Sequence, residues 1–152
     1  MGKKLKKVVG SLKCPYCQKP AKFEQGKTRN RWVCHPCRAW VYTPKTSNKP
    51  HGTWANGRLR QLRREAQFCI DYLCETKAIK HQVPVKQARQ AGYAWLAKKV
   101  GIKFEKFEIR SLDDRCQRAL DACKPIVLEI KKKKAIAHRH AQKRAKALAV
   151  EA

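Results

Sequence analysis

Residues 14–37 read CPYC, then sixteen residues, then CHPC, and this stretch decides the fold. Each Cys-x-x-Cys pair can form a tight turn that places both sulfurs on one side of a metal ion. Four thiolates are typical ligands of a tetrahedral, structural zinc site, which leaves no coordination position open for water. The stretch therefore predicts one structural Zn²⁺ ion with the ligands Cys14, Cys17, Cys34 and Cys37.

The residues around these cysteines predict a zinc ribbon over residues 13–43. Phe23 precedes a turn at Gln25–Gly26, and Arg31, Trp32 and Val33 follow it. β-Branched and aromatic residues on both sides of a glycine turn favour short antiparallel strands. A unit this small cannot bury enough surface to fold unaided, so metal binding should supply about 10 kcal/mol or more.

The chain after the ribbon predicts helices. Apolar residues recur at intervals of three and four from Asn56 to Leu73, a second helix fits Pro84 to Gly101, and a third begins at Ser111. Pro125 either ends the third helix or opens the next segment. The predicted fold class is small α+β: a four-cysteine zinc ribbon with short antiparallel strands, then about three α-helices and a basic, helical C-terminal tail.

Composition changes along the chain predict five parts. They are a basic arm (1–12), the zinc ribbon (13–43), a linker containing prolines and glycine (44–52), a helical region packed on the ribbon (53–124) and a Lys/Arg/Ala-rich tail (125–152). The remaining cysteines are interpreted as small apolar core residues on helices in a reducing compartment. These are Cys69, Cys74, Cys116 and Cys123.

The charge of the chain favours an anionic partner. Lys and Arg outnumber Asp and Glu 37 to 11, which gives a formal net charge of +26. Residues 1–60 carry fifteen of the basic side chains and one acidic side chain. Nucleic acid is the favoured partner because phosphate contacts release condensed counterions, and an anionic membrane surface is the main rival. No stretch has the length of a membrane span, so a cytoplasmic protein without membrane contact is expected.

Several basic groups are candidate nucleic-acid contacts, with a solvated charged surface as the alternative for each. Trp32 and Trp40 are interpreted as core residues of the ribbon. The candidates are Lys3, Lys4, Lys6 and Lys7 in the arm, Arg29, Arg31 and Arg38 in the ribbon, Arg58, Arg60, Arg63 and Arg64 on the first helix, and Lys131, Lys132, Lys133, Lys134, Arg139, Lys143, Arg144 and Lys146 in the tail.

Four stretches together resemble a known family. They are the CPYC…CHPC motif, HGTWANGRLRQLRREA at 51–66, AGYAWLAKKVGI at 91–102 and LDDRCQRAL at 112–120. In this combination the chain resembles a family of small zinc-finger-containing proteins that is common in bacteriophages and prophages. The resemblance implies a zinc-bound fold, a phage or prophage origin and hence a host bacterial cytoplasm, but it supplies no reaction.

Three classes of function are compatible with these features. The first is a nucleic-acid-binding protein that contacts DNA or RNA, including rRNA. The second is an adaptor that binds a host machine such as RNA polymerase or the ribosome. The third is an HNH-type nuclease, which needs a His general base beside a metal-binding residue, whereas His51 and Asn56 have no such neighbours in sequence. A protein without catalytic activity is therefore expected.

Overall fold

The computed structural model describes residues 11–109, 112–113 and 115–150, and of residues 144–150 it describes only the backbone. Within these residues, four antiparallel strands in the order β1-β2-β3-β4 precede three α-helices, which confirms the predicted α+β class. The strands are β1 (Lys22–Glu24), β2 (Asn30–Cys34), β3 (Ala39–Thr43) and β4 (His51–Ala55). The helices are α1 (Gly57–His81), α2 (Val85–Val100) and α3 (Arg115–Val150), with a short 3₁₀ turn at Phe104–Lys106.

The chain divides into two compact units. Unit 1 contains Met1–Arg64 and Phe107–Cys116, and unit 2 contains Glu65–Lys106 and Gln117–Ala152. Unit 1 therefore includes the whole sheet and the first two turns of α1, whereas α2 and most of α3 belong to unit 2. The packing of the helical region on the ribbon stays a prediction.

The core of unit 1 lies on one face of the sheet. Trp32, Val41 and Ala21 form one buried cluster, and Cys14, Cys34 and Ala39 form a second. Trp54 on β4 packs against both clusters. Successive strand residues point to opposite faces, so burial of Trp32 and Val41 leaves their neighbours along each strand on the other face.

Strand β4 lies across the predicted boundary between the linker (44–52) and the helical region (53–124), so the helical part of the chain begins later than the prediction placed it. The structure continues the sheet through His51–Ala55, with His51 opposite Tyr42 and Ala55 opposite Trp40. The five-residue segment contains Gly52 at a φ of 91°, a composition that strands ordinarily avoid. Its strand conformation depends on pairing with β3, which no local pattern reveals.

The start of α1 and both ends of α2 agree with the sequence interpretation, whereas α1 continues to His81, eight residues beyond the apolar repeat that predicted it. Asn56 caps α1, because its Oδ1 accepts the backbone N–H of Leu59 at 2.9 Å. Helix α2 begins directly after Pro84 and ends before Gly101, whose φ of 72° lies in the left-handed region that glycine adopts without strain. The start of α1 and both ends of α2 therefore lie at residues whose local chemistry favours a boundary.

Pro125 does not end the third helix, which is a correction to the prediction. It lies inside α3, which runs without a break from Arg115 to Val150. Proline removes one backbone hydrogen bond, to the carbonyl of Asp121, and both residues lie at exposed positions where water can take its place. The predicted capping pair at the start of this helix, Ser111 and Asp114, lies outside the described residues.

The cysteines outside the predicted zinc motif are core residues, as expected. All of them are buried and free rather than paired in disulfides, and burial is the largest cause that raises the pKa of each thiol. The effect is largest for Cys123, whose pKa is raised to about 12. They therefore act as small apolar side chains. This set is Cys69, Cys74, Cys116 and Cys123.

We expect Gly92→Ala to destabilise unit 2. A Cβ atom at Gly92 would lie 2.5 Å from the Sγ of Cys74 and 3.5 Å from the Cδ1 of Ile70, so α1 and α2 would have to separate. Such overpacking costs about 1–3 kcal/mol and outweighs the helix propensity that alanine gains. Urea denaturation followed by circular dichroism measures the change in stability.

A double-mutant cycle provides the control for this prediction. The Cys74→Ala change removes the sulfur that the new methyl group meets, so the Gly92→Ala/Cys74→Ala variant should lose less stability than the two single variants added together. Additive effects, or a gain of stability in Gly92→Ala alone, would show that this contact does not limit the helix spacing.

Candidate metal centre and cationic surfaces

Two tight turns of similar design carry the four ligand cysteines. The first turn, Cys14–Cys17, is enclosed by a β-bridge between Lys13 and Pro20. The second, Cys34–Cys37, is the hairpin turn between β2 and β3, where Cys34 pairs with Ala39. In each turn the residue after the second cysteine has a positive φ, of 58° at Gln18 and 47° at Arg38. The repeated left-handed residue turns the chain back after each cysteine pair.

The sulfur atoms of this group have the separations that zinc requires. All four Sγ atoms lie within 4.8 Å of one another, and those of Cys17 and Cys34 are 3.5 Å apart. A tetrahedral site with Zn–S bonds of about 2.3 Å needs sulfurs about 3.8 Å apart. Cys14 and Cys34 are buried, while Cys17 and Cys37 are half-buried. The four cysteines are therefore able to bind one zinc ion.

Hydrogen bonds within the group affect the ionisation of the thiols. A backbone hydrogen bond from Lys19, followed by one with Cys37, lowers the pKa of Cys17 to about 7. The hydrogen bond with Cys17, followed by burial, raises the pKa of Cys37 to about 12. The Cys17 thiol therefore loses its proton more readily than the Cys37 thiol, and a bound cation would displace the protons of the remaining thiols. All ligand positions would be filled by protein sulfur, which is the pattern of a structural site.

A second feature of unit 1 is the cationic sheet face, defined by Arg29, Arg31, Trp40, Tyr42 and Arg60. The register pairs Arg31 with Tyr42 and Val33 with Trp40, so these residues lie on the face opposite the buried Trp32. The guanidinium of Arg60 lies 3.1 Å from the centroid of the Trp40 ring, and that of Arg31 lies 5.5 Å from it. The guanidinium of Arg29 is 5.7 Å from the Tyr42 centroid.

The structure assigns internal contacts to two of the predicted nucleic-acid residues of α1. Arg60 donates from Nη1 to the carbonyls of Arg38 at 3.1 Å and Ala55 at 2.6 Å. Arg63 donates from Nε to the carbonyl of Leu112 at 2.7 Å and from Nη2 to the hydroxyl of Thr53. Burial lowers the pKa of both guanidinium groups. Both side chains thus bind the sheet and the loop of unit 1, a role that the sequence did not indicate.

The other predicted arginines of unit 1 are more accessible. Arg29, Arg38, Arg58 and Arg64 are exposed, and Arg31 is half-buried because it forms an ion pair with Glu24 at 2.9 Å. Trp32 is buried, as expected of a core residue. Trp40 is only half-buried, because it lies on the cationic sheet face. The sequence signal for this face is Arg31 on β2 together with Trp40 and Tyr42, which are two residues apart on β3 and therefore point to the same side.

The predicted basic tail (125–152) lies in α3 as far as Val150, and its residues 131–143 are exposed. The Nζ of Lys131 lies 5.4 Å from the ring centroids of both Phe68 and Tyr72, and that of Lys134 lies 5.2 Å from Tyr72. Lys133 pairs with Glu129 at 2.7 Å. Lys132, Arg139 and Lys143 are also exposed. The arm residues Lys3, Lys4, Lys6 and Lys7 and the side chains of Arg144 and Lys146 lie outside the described residues.

Comparison with known proteins identifies one family. Residues 10–126 match the model of a family described as a zinc-finger-containing domain. The match includes all four ligand cysteines and the whole sheet. No curated protein and no solved structure matches the chain. In the part of the chain that the structure describes, no helix has both the length and the apolar character needed to cross a membrane.

Proposed function

Since the chain belongs to this family of zinc-finger-containing domains, we propose that it is a nucleic-acid-binding protein in which zinc is structural and catalysis is absent. The zinc ion would fold the sheet of unit 1, and the basic surfaces would contact phosphates of DNA or RNA. The resemblance of the four sequence stretches to phage proteins supports a bacteriophage or prophage origin and a host bacterial cytoplasm as parts of the same proposal.

The observation that carries this proposal is the basic segment of α3, residues 131–143. It contains six Lys and Arg side chains and no Asp or Glu, and every residue in it is exposed. At 1.5 Å per residue the segment is about 20 Å long, enough to contact several phosphates along a nucleic-acid backbone. Besides the contacts of Lys131 and Lys134 with aromatic rings of α1, this exposed segment gains little from packing, whereas a polyanion would relieve its charge repulsion.

The first test is neutralisation of Lys131, Lys132, Lys133 and Lys134 to Gln in one variant. We expect weaker binding to DNA and RNA alike and a smaller dependence of affinity on salt, with the slope reduced by about 1 for each phosphate that the variant no longer neutralises. Fluorescence anisotropy of labelled duplexes, measured across a series of salt concentrations, gives both quantities.

A matched control has the same change in net charge at other exposed positions of unit 2. It replaces Lys77, Lys80, Lys98 and Lys99 by Gln, and these side chains lie away from the basic segment in sequence. Its salt dependence should stay close to that of the unaltered protein. Equal effects in both variants, or an unchanged slope in the first, would contradict phosphate binding by α3. Recovery of RNA polymerase or ribosomal proteins from a nuclease-treated lysate would then favour the adaptor alternative.

A further inference from the structure

Tyr42 is the accessible aromatic ring of the cationic sheet face. Its residue is 44% exposed, whereas Trp40 is half-buried with the Arg60 guanidinium 3.1 Å from its ring centroid. Tyr42 lies on β3, which pairs with β2 on one side and β4 on the other, opposite Arg31 and His51 respectively. The ring thus extends from an internal strand whose backbone is paired with both neighbouring strands. Such a ring can accept a flat group with little loss of entropy.

The charges around Tyr42 suit a phosphate backbone. The guanidinium of Arg29 lies over the Tyr42 ring, 5.7 Å from its centroid, and Arg31 lies directly across the strand pair. Glu24 is the only acidic residue among residues 11–60. Its carboxylate is held by Arg31 at 2.9 Å and by His35 at 3.1 Å, and the hydrogen bond with Arg31 is the largest cause that lowers its pKa. The local field is therefore positive, with its one anion already paired.

An exposed aromatic ring surrounded by cations should bind unpaired bases more tightly than paired bases. In a duplex the faces of the bases are covered by stacking on their neighbours, so a ring fixed on a sheet cannot reach them. In a single strand the base faces are available, and stacking on an aromatic side chain contributes about 1–3 kcal/mol per base. Every base offers such a face, so the interaction tolerates different sequences and both types of sugar.

We propose that the cationic sheet face binds single-stranded nucleic acid, with an unpaired base stacked on Tyr42 and the adjacent phosphates contacted by Arg29 and Arg31. This inference rests on the proposed function, which it extends from phosphate binding by α3 to base binding by the sheet. Trp40 is a positioning residue here, because its ring holds the Arg31 and Arg60 guanidinium groups on this face.

The test compares Tyr42→Ala with Tyr42→Phe in the full-length, zinc-loaded protein. The probes are a labelled single-stranded DNA, a single-stranded RNA of the same sequence, the duplex of each, and inorganic polyphosphate, which has no bases. Tyr42→Ala should weaken binding to both single strands about 5- to 150-fold, because it removes the stacking ring. Binding to the duplexes and to polyphosphate should change less than about twofold. Tyr42→Phe should bind all probes as the unaltered protein does.

Zinc content and circular dichroism establish that both variants remain folded, and Tyr42→Phe separates removal of the ring from removal of the hydroxyl. Equal weakening of single strands and polyphosphate by Tyr42→Ala would overturn the inference, because the ring would then contribute no base contact. Unchanged single-strand binding, together with a reduced salt slope in the α3 lysine variant, would overturn it and leave the proposed function intact. Failure of the unaltered protein to bind any nucleic acid would overturn both.

Discussion

Replacement of Cys34 by Ser is expected to abolish stable zinc binding and to unfold the four-stranded sheet. The side chain is buried at the end of β2, and its sulfur lies 3.5 Å from that of Cys17. A serine hydroxyl does not ionise at neutral pH and is a poor ligand for zinc, so the site would keep only three of its four thiolates. Zinc binding supplies on the order of 10 kcal/mol in comparable small units, more than the sheet can lose.

Atomic absorption measures the zinc content after challenge with a chelator, and near-ultraviolet circular dichroism reports the packing of the aromatic residues in the sheet. We expect the bound zinc to be lost and the near-ultraviolet signal to decrease in Cys34→Ser, while much of the far-ultraviolet helical signal remains because unit 2 has its own buried residues. Cys69→Ala is the matched control, since it removes a buried sulfur from unit 2 and should retain one zinc. A folded, zinc-bound Cys34→Ser protein would refute the four-thiolate site.

Trp32→Ala is expected to cost about 3–5 kcal/mol of stability, the second largest effect. The side chain is 5% exposed and meets Phe23 in an edge-to-face arrangement with the ring centroids 5.1 Å apart. Its Nε1–H donates to the backbone carbonyl of Asn48 at 2.7 Å, which ties the connection between β3 and β4 to the sheet. Thermal unfolding of the zinc-loaded protein, followed by circular dichroism, measures the change.

Trp32→Phe separates the two contributions of this side chain. It keeps an aromatic ring in the core but removes the hydrogen bond to Asn48, so it should cost about 1–3 kcal/mol. The stability of Trp40→Phe is compared with that of Trp32→Phe, because both variants carry the same side-chain change. Trp40 is only half-buried, and Phe retains a ring beneath the guanidinium groups. Equal destabilisation by Trp32→Ala and Trp32→Phe would show that the hydrogen bond, not the buried ring, is the main contribution.

The features that could be predicted depend on residues close together in the chain. A Cys-x-x-Cys pair forms its turn within four residues, so the sequence suffices to identify the four cysteines that the fold brings together and that are able to bind one zinc ion. The end of α2 at Gly101 follows from a residue that adopts a positive φ without strain. The periodic burial of Ala66, Cys69 and Ile70 follows from helical geometry.

The predictions that failed depend on pairing between segments that are distant in sequence, or on whether a residue is exposed to solvent. Strand β4 forms because β3 offers it an edge to pair with, whereas the local sequence around Gly52 is typical of a linker. Pro125 resembles a boundary because its local effect on a helix is unfavourable, yet exposed surroundings make the missing hydrogen bond tolerable. In both places a tertiary contact or the solvent environment outweighs the local preference.

For this protein the sequence by itself determined the zinc ligands, the α+β class and the strongly basic character, because spacing, periodicity and charge are properties of neighbouring residues or of the whole composition. Only the tertiary structure decided which basic residues contact the protein's own backbone and which aromatic ring remains accessible. Arg60 and Arg63 are indistinguishable from Arg58 and Arg64 until β4 and Leu112 supply acceptors for their guanidinium groups. Side-chain partners depend on where the folded chain brings distant segments together.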